Sequence, residues 1–506
     1  MRRMNRNELP GRSPAWWLPC LLSGAVIVGA ASAQVQAPAA EAGKAGSAAT
    51  TYRVINLGSG ALSSLPQMND KGQVAFSLFN EGAGSRGYFY NGSSVQDVGS
   101  FGGDTYAVDV NNAGQVVGRS ATALGVDRAF IWTAGGGIRA LSGPPAIAYS
   151  VATAINNAGV VIGLHSGGAG GFRWTESEGY ESLGGLSPGG EGGTFPTALN
   201  DAGLIAGNSR VVGPPNEDHL VAWTRSSGLV DIDTLSSAYS LPTAVSERGE
   251  IVGSRLATST STRYHAFVST RATGMVDIGT GRGVESGLGP INDYGLAAGI
   301  INYANDIQRA AYWTRGSGLR DIGTFGGRFS RTHDVNKLGQ IVGSADDRAG
   351  QDRAFVWTAK TGLVDLNTRL RRAPPDLVLD DAVAISDNGA IGATSNAGLV
   401  LLQPGAGGKG GHALGPVQGL ASVKVGAVLT AAVGFVDEDR VGTRSSTWSW
   451  GDGSSAQAGR LREANGAGAT SASHSFAAPG TYQITVTVVD RSGRSSAVGR
   501  SVVVAP

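Results

Sequence analysis

Eight imperfect copies of one pattern, recurring about every 45 residues, constrain this chain more than any other feature it has. Residues 107–120, AVDVNNAGQVVGRS, show the pattern in full: an apolar run, a small polar turn ending in Gly, and a second apolar run ending in Gly. The turn glycines are Gly72, Gly114, Gly159, Gly203, Gly249, Gly295, Gly339 and Gly389, with successive spacings of 42, 45, 44, 46, 46, 44 and 50. A unit of that length cannot bury its own apolar face, so each copy must pack against its neighbours.

Within a unit the grammar is that of short strands. Residues 106–110 read as a strand and Asn111 to Gly114 as a tight turn, in which Asn tolerates turn geometry and Gly supplies a positive φ. Residues 115–119 return. A connection of variable length leads to a third strand at 128–132, RAFIW, and a fourth at 138–141. Later units keep the order, with His265-Ala266-Phe267-Val268 before Met275-Val276-Asp277-Ile278, and Arg353-Ala354-Phe355-Val356-Trp357 before Leu363-Val364-Asp365-Leu366. Four short antiparallel strands per unit describe a propeller blade. The competing architecture, an array of β-sandwiches, needs domains of about 100 residues. The last unit, 382–404, offers three strands, VAIS, AIGAT and GLVLLQ, while the unpaired TYRVINLG of 51–58 resembles fourth strands such as GLRDIG at 318–323. The expectation is an all-β chain in which residues 51–403 form an eight-bladed β-propeller of four-stranded blades. Its N-terminal strand closes the last blade and removes an exposed edge.

The residues flanking the repeats divide the chain further. Arg2, Arg3, Arg6 and Arg12 precede an apolar stretch at 18–30 and a small-residue Ala31-Ser32-Ala33, which reads as a signal peptide over 1–33 cut after Ala33; an uncleaved anchor is the alternative. The only cysteine, Cys20, lies inside that signal, so the mature chain has no thiol, and Pro19 before it does not suit lipidation. Residues 34–50 are an Ala- and Gly-rich flexible lead, and 404–416, PGAGGKGGHALGP, a Gly-rich linker. Glycine, at 79 of 506 residues, exceeds twice its ordinary share of about 7%, but it falls at repeating positions beside β-branched residues and so marks turns. Beyond the linker, 417–506 holds Trp448-Ser449-Trp450-Gly451-Asp452-Gly453-Ser454, then Pro479-Gly480-Thr481-Tyr482 and an alternating strand over 483–490.

Two resemblances follow from these residues. The INNAG..VG, HAF and DIGTFGG patterns over 51–403 resemble the HAF-type extracellular repeat of bacterial proteins, with His265-Ala266-Phe267 the one literal copy of the triplet. The 417–506 segment resembles a PKD domain, an immunoglobulin-like β-sandwich common on secreted proteins. Its Asp452 and flanking glycines read as a strand-to-strand turn. The resemblances imply a secreted or cell-surface protein, with the periplasm as another destination. Some PKD relatives bind calcium, but no full ligand set is present here.

Candidate chemistry is sparse. The six histidines show no metal-ligand spacing, and no nucleophile elbow, phosphate loop or Asp-box occurs. No catalytic residue, metal site or cofactor is assigned. A net charge of +1 with 16% charged residues gives no reason to expect nucleic acid as a partner, and none to expect membrane insertion after signal cleavage. The turn residues Asn69, Asn111, Asn156, Asn200, Asn292 and Asn336 suit a turn better than a cation ring, and Trp132, Trp174, Trp223, Trp313 and Trp357 suit packing between blades better than sugar stacking. Basic third-strand residues recur with an Asp eleven or twelve positions on: Arg86 with Asp97, His219 with Asp231, His265 with Asp277, Arg309 with Asp321, and Arg353 with Asp365. These read as ion pairs within a blade, as in WD-type repeats, rather than as an anion-binding ring.

Antiparallel order puts the Asn-Gly turns and the third-to-fourth-strand turns on one face. The second-to-third-strand loops, at 208–218, 255–264, 300–308 and 345–352, lie on the other. Loops on a rigid scaffold are where recognition resides. Tyr264, Asn302, Tyr303, Asn305, Asp306, Asp346 and Asp347 are therefore the candidate ligand contacts. The functional expectation is recognition of an extracellular polysaccharide or protein through that face. A propeller-type polysaccharide hydrolase or lyase, and a purely structural surface or matrix component, are the alternatives.

Overall fold

In the computed structural model the described residues are 50–506 except 83, 143–148, 167–169, 191, 213–216, 236–238, 259, 372, 405–411, 420–421, 438–442, 465–466 and 492–494. The segment expected to be a signal peptide, 1–33, and most of the lead, 34–50, lie outside the described residues. The described chain is all-β, interrupted by two short 3-10 turns at Pro188–Gly190 and Leu366–Arg369. Among the described residues no helix is long and apolar enough to cross a membrane.

The repeats fold as four-stranded antiparallel meanders taken in chain order. The first is Ala61–Met68, Val74–Asn80, Gly84–Tyr90 and Val95–Asp97; the second is Gly102–Val110, Val116–Thr122, Asp127–Thr133 and Gly137–Ala140. The third to fifth begin at Ser150–Ile155, Thr194–Leu199 and Ser240–Val245. The sixth, from Glu285–Ile291, and the seventh, from Gly326–Val335, join in one eight-stranded sheet through a parallel bridge between Gln308 and Phe329. The eighth has three strands of its own, Leu379–Ile385, Ile391–Ser395 and Gly398–Pro404. Its fourth is Tyr52–Gly58, paired antiparallel with Tyr52 opposite Pro404 and Asn56 opposite Val400.

Two residue choices explain why each meander forms. In six of the eight turns an Asn serves both its own turn and the next meander. Asn111 Oδ1 accepts from the Ala113 and Gln115 amides at 3.1 and 3.0 Å, while its Nδ2 donates to the Asn156 carbonyl at 3.0 Å. Asn156 donates likewise to Asn200, Asn200 to Ser246, Asn292 to Asn336, and Asn336 to Ser386. The glycine that ends the motif answers a steric demand. The first strand carries a register shift between Ala107 and Asp109, and a Cβ at Gly118 would collide with the Tyr106 carbonyl oxygen. Gly163, Gly253 and Gly343 meet the carbonyls of Val151, Leu241 and Arg331 in the same way.

The core is divided among the junctions. Phe89 and Trp132 meet between the first and second meanders, Ile131 and Trp174 between the second and third, and Ile162 and Trp223 between the third and fourth. Val268 with Trp313 and Ala310 with Trp357 continue the series. Each tryptophan is buried at its junction. Tyr52 and Val54 join the cluster between the seventh and eighth meanders. Leu57, Leu399 and Leu401 pack with Val74, Phe76 and Tyr88 of the first.

The C-terminal segment is a two-sheet sandwich. One sheet runs His412–Gln418, Val428–Asp437, Ala467–Ser475, Arg460–Ala464; the other runs Ser422–Lys424, Ser495–Ala505, Gly480–Asp490, Thr443–Ser449, Gln457–Ala458. The strand His412–Gln418 begins inside the stretch expected to be linker, because Leu414 and Val417 are buried in the sandwich core. Trp448 and Trp450 stack at 5.6 Å, Trp450 stacks on His474 at 4.9 Å, and His474 meets Asp452 at 2.6 Å. Gly451 and Gly453 take positive φ on either side of Asp452, which accepts from Ser454.

Candidate functional site

The connections expected to be loops are shorter than the sequence suggests. Strands extend through Tyr303 and Asp347, and Tyr264 opens a strand, so Asn302, Tyr303, Asp346 and Asp347 are strand residues. Only Asn305 and Asp306 lie in a turn, both with positive φ (63° and 56°), a geometry that lets two strands reverse tightly. Polar residues at these positions do not break the strands, because their side chains find hydrogen-bond partners within their own meanders.

Most of the candidate contacts are engaged. Asn302 donates to Glu285 at 3.3 Å and accepts from Gln308 at 3.1 Å. The Tyr303 hydroxyl donates to Asp321 at 3.0 Å, and burial followed by the nearby Asp321 charge pushes its pKa up to about 12. The Asn305 carbonyl accepts from Arg328. Asp346 is buried and accepts from the Phe329 amide at 3.2 Å. Asp347 accepts from the Gln351 and Ala349 amides, which hold its carboxyl below the usual range, and pairs with Arg353 at 3.0 Å. Tyr264 packs edge-on against Tyr239.

The ion-pair series divides. His219 meets Asp231 at 2.7 Å and His265 meets Asp277 at 3.0 Å, with Arg255 joining Asp277 at 2.8 Å. Burial opposes charge on His219, but Asp231 and Glu217 outweigh it and raise its pKa. Burial raises the pKa of Asp97, against the Gly99 amide, which donates to it at 2.7 Å, and the weaker opposing charge of Arg86. Two expected pairs are replaced. Arg353 turns to Asp347, while Asp365 caps the turn at Leu366–Arg369 by accepting from the Asn367 amide. Arg309 donates to the Arg328 carbonyl, and Asp321 takes the Tyr303 hydroxyl instead. A long, flexible arginine side chain reaches acceptors beyond the one its register supplies, and in these two units it does so.

On the turn face the residues after each Asn link one meander to the next. The Asn112 amide donates to Asn157 at 2.8 Å, that of Asn157 to Asp201 at 2.7 Å, and that of Glu247 to Asp293 at 3.0 Å. Lys337 Nζ lies 3.0 Å from Asp387, 3.7 Å from Asp293 and 3.9 Å from Asp70. Acidic side chains thus converge here around the chain's own ammonium. Among the described residues no group of three or more His, Cys, Asp or Glu is placed to hold a metal ion.

A different cluster lies on the first strands of the seventh and eighth meanders. Arg331 Nη2 and His333 Nε2 reach the same oxygen, Asp381 Oδ2, at 2.8 and 2.9 Å. Burial alone would raise the Asp381 carboxyl, but His333 and Arg331 outweigh it and hold it below the usual range. Asp381 Oδ1 is buried without a hydrogen-bond partner, while nearly half of the Arg331 side chain is exposed (47%). Asp352, raised chiefly by burial, and Asp346 add negative charge beside Arg331. The sequence does carry a signal for this site. The first-strand position before the partner of the motif glycine holds Tyr106, Val151, Phe195, Leu241, Gly287 and Arg331 in the second to seventh meanders; in the eighth, where Ala393 stands in place of that glycine, it holds Asp381. Two residues on, the third to seventh meanders hold Thr153, Thr197, Thr243 and Gly289, then His333. Among the second to eighth meanders the first of these positions is charged only in the seventh and eighth, which marks the place.

Comparison with known proteins identifies one segment. Residues 416–505 match the family model of the PKD domain. No curated protein matches the chain. Among solved structures, the PKD domain of an M14-like peptidase from Thermoplasmatales archaeon SCGC AB-540-F20 is 18% identical, covering 18% of this chain and 91% of that one, with a TM-score of 0.15. Virginiamycin B lyase from Staphylococcus aureus is 12% identical over 59% of this chain and 94% of that one, with a TM-score of 0.37. TolB from Acinetobacter baumannii is 8% identical, with a TM-score of 0.34, over 66% of this chain, which spans 64% of TolB's length.

Proposed function

We propose that the repeats close into an eight-bladed β-propeller and that the protein is a secreted or cell-surface recognition protein. It would hold a carbohydrate or a protein on the first strands of the seventh and eighth meanders, at Arg331, His333 and Asp381. Three observations support closure: the pairing of Tyr52–Gly58 with the eighth meander, the apolar cluster shared by the eighth and first, and Lys337, whose ammonium meets carboxylates of the first, sixth and eighth. A PKD domain is typical of extracellular or surface proteins, which supports the location.

The observation that carries the binding reading is the unpartnered Asp381 Oδ1 beside the exposed Arg331. An unpaired buried acceptor costs about 1–3 kcal/mol, and a ligand donor would relieve it. On the turn face, by contrast, the amides of Asp70, Asn112, Asn157, Asp201, Glu247 and Lys337 are bonded from meander to meander. Binding to an array of glycans and surface proteins tests this. Arg331→Ala and Asp381→Asn should abolish the signal, and unchanged binding by both variants rejects the site.

The His333–Asp381 contact favours one second reading, a polysaccharide hydrolase or lyase, because a carboxylate that orients an imidazole suits it to proton transfer. Release of products from a polysaccharide panel, lost in His333→Ala, would establish that reading instead.

A further inference from the structure

We infer that the cavity between the first meander and the PKD domain is a second binding site, which takes a neutral sugar or a similar polyhydroxylated molecule. The cavity measures about 340 Å³. That lies within the range of about 300–1,000 Å³ in which small-molecule sites fall, and junctions between domains are where such sites are common. One wall comes from the repeats, with Asn80, Glu81, Arg86, Tyr88 and Asp97. The other comes from the sandwich strands Gly480–Asp490 and Ser495–Ala505, with Gln483 and Arg500.

The chemistry of the lining selects the ligand class. Its charges balance, two arginines against Glu81 and Asp97. The arginines have counter-groups of their own in the lining: Glu81 and Asp97 share it with Arg86, and Arg500 donates to the carbonyls of Val417 and Gly419 at 2.9 and 3.0 Å. A phosphate or carboxylate would therefore enter without a free counter-charge. An apolar ligand would strip water from Asp97, Asn80 and Gln483 without replacing their hydrogen bonds, at a cost. Hydroxyl groups can both donate and accept, as this lining requires. Asp97 Oδ1 already accepts from the Gly99 amide, which leaves its other oxygen for a ligand hydroxyl. Asn80 Nδ2 sits at 3.4 Å from the Tyr88 hydroxyl, a contact long enough to exchange for a better one. Leu57, Leu78 and Val95 supply the apolar surface that the C–H face of a sugar ring covers.

The inference needs neither closure of the repeats nor the Arg331 site. Titration calorimetry of the full chain with glucose, galactose, mannose, N-acetylglucosamine and cellobiose, with inorganic phosphate as the anionic control, decides it. At least one neutral sugar should bind and phosphate should not. Asp97→Asn and Gln483→Ala, which alter opposite walls, should each weaken that sugar at least tenfold, while Arg331→Ala should leave it unchanged. Failure of every sugar overturns the inference, as does binding that survives both wall variants or that phosphate displaces. Loss in Arg331→Ala alone would move the sugar to the other site. Thermal melts of the two wall variants separate lost binding from lost folding.

Discussion

The repeat region and the C-terminal sandwich solve the same problem in opposite ways. The sandwich gathers its apolar weight into one cluster in which Trp448, Trp450 and Phe476 are fully buried. The repeats scatter theirs over eight clusters, each holding a few aliphatic side chains and one to three buried aromatics. What the scattered arrangement lacks in local depth it replaces with bonds between units: the Asn side chains, and the half-buried carboxylates Asp109 and Asp334. Asp109 accepts from the Ile155 amide of the next meander, and Asp334 from that of Ile385, both at 2.8 Å. A concentrated core fails at a single residue, whereas a chain of junctions fails at its weakest seam.

Deleting Tyr52–Gly58 probes that seam and should have the largest effect. It removes Tyr52, Val54 and Leu57 from two junctions at about 1.5–3 kcal/mol each, about 5 kcal/mol or more together. Calorimetry should show the repeat transition falling while that of the sandwich holds; two unmoved transitions would dissolve the contrast. Next comes Trp450→Ala, expected to cost the sandwich about 3–5 kcal/mol and the repeats little. Asn156→Ala frees the Val160 amide and the Asn200 carbonyl and should cost about 1–3 kcal/mol by chemical denaturation. Asn156→Ser should cost less, because Ser246 and Ser386 already serve their own turns. The smallest effect is in pair coupling. A double-mutant cycle on His265 and Asp277 should give about 0.2–1 kcal/mol, and one on Arg353 and Asp365 should be additive.

Acid should separate the regions by sign. Burial raises Asp109 and Asp334 to about 6, so the folded repeats hold these protons more tightly than the unfolded chain does. Their contribution to stability is full below the ordinary carboxyl value of 3.8 and is lost as pH rises through about 6. Asp452 behaves in reverse. Burial works to raise it, but Ser454 and His474 outweigh that and hold it at about 2, so its contribution is present above 3.8 and lost as pH falls through about 2. Melting curves between pH 6 and pH 4 should show the repeat transition gaining relative to a chain carrying both Asp109→Asn and Asp334→Asn. No difference between the two chains would remove these carboxyls from the account.

What could be read from the sequence follows the same division. The turns were legible because two of their demands, an Asn that bonds forward and a Gly at positive φ, are local and recur. The sandwich was legible from Trp448 to Ser454 and its alternating strand. The partners of long side chains were not. Register places Asp365 opposite Phe355, near Arg353, yet nothing in that spacing says that Asp347 will compete for the guanidinium. Hairpin limits were misjudged because Asn302 and Asp346 look like loop residues and pair as strand. Arg331, His333 and Asp381 escaped because Asp381 is distant in sequence, and each of the three, taken singly, is an ordinary strand residue. Only the alignment of a repeat with its siblings exposes them.

The pairing of Tyr52 with Pro404 has a consequence in time. The strand that completes the last meander is made before any of the others, and its partner is made after all of them. Through the intervening synthesis its backbone groups have no mate, and Tyr52 and Val54 have no junction to enter. Ring closure across such a span costs little more than across a short one, because the entropy grows only with the logarithm of loop length. The burden is instead one of waiting, during which a bare strand edge can be captured by another chain. Whatever keeps that first strand apart from other molecules until Gly398–Pro404 emerges governs how much of this protein reaches its finished form.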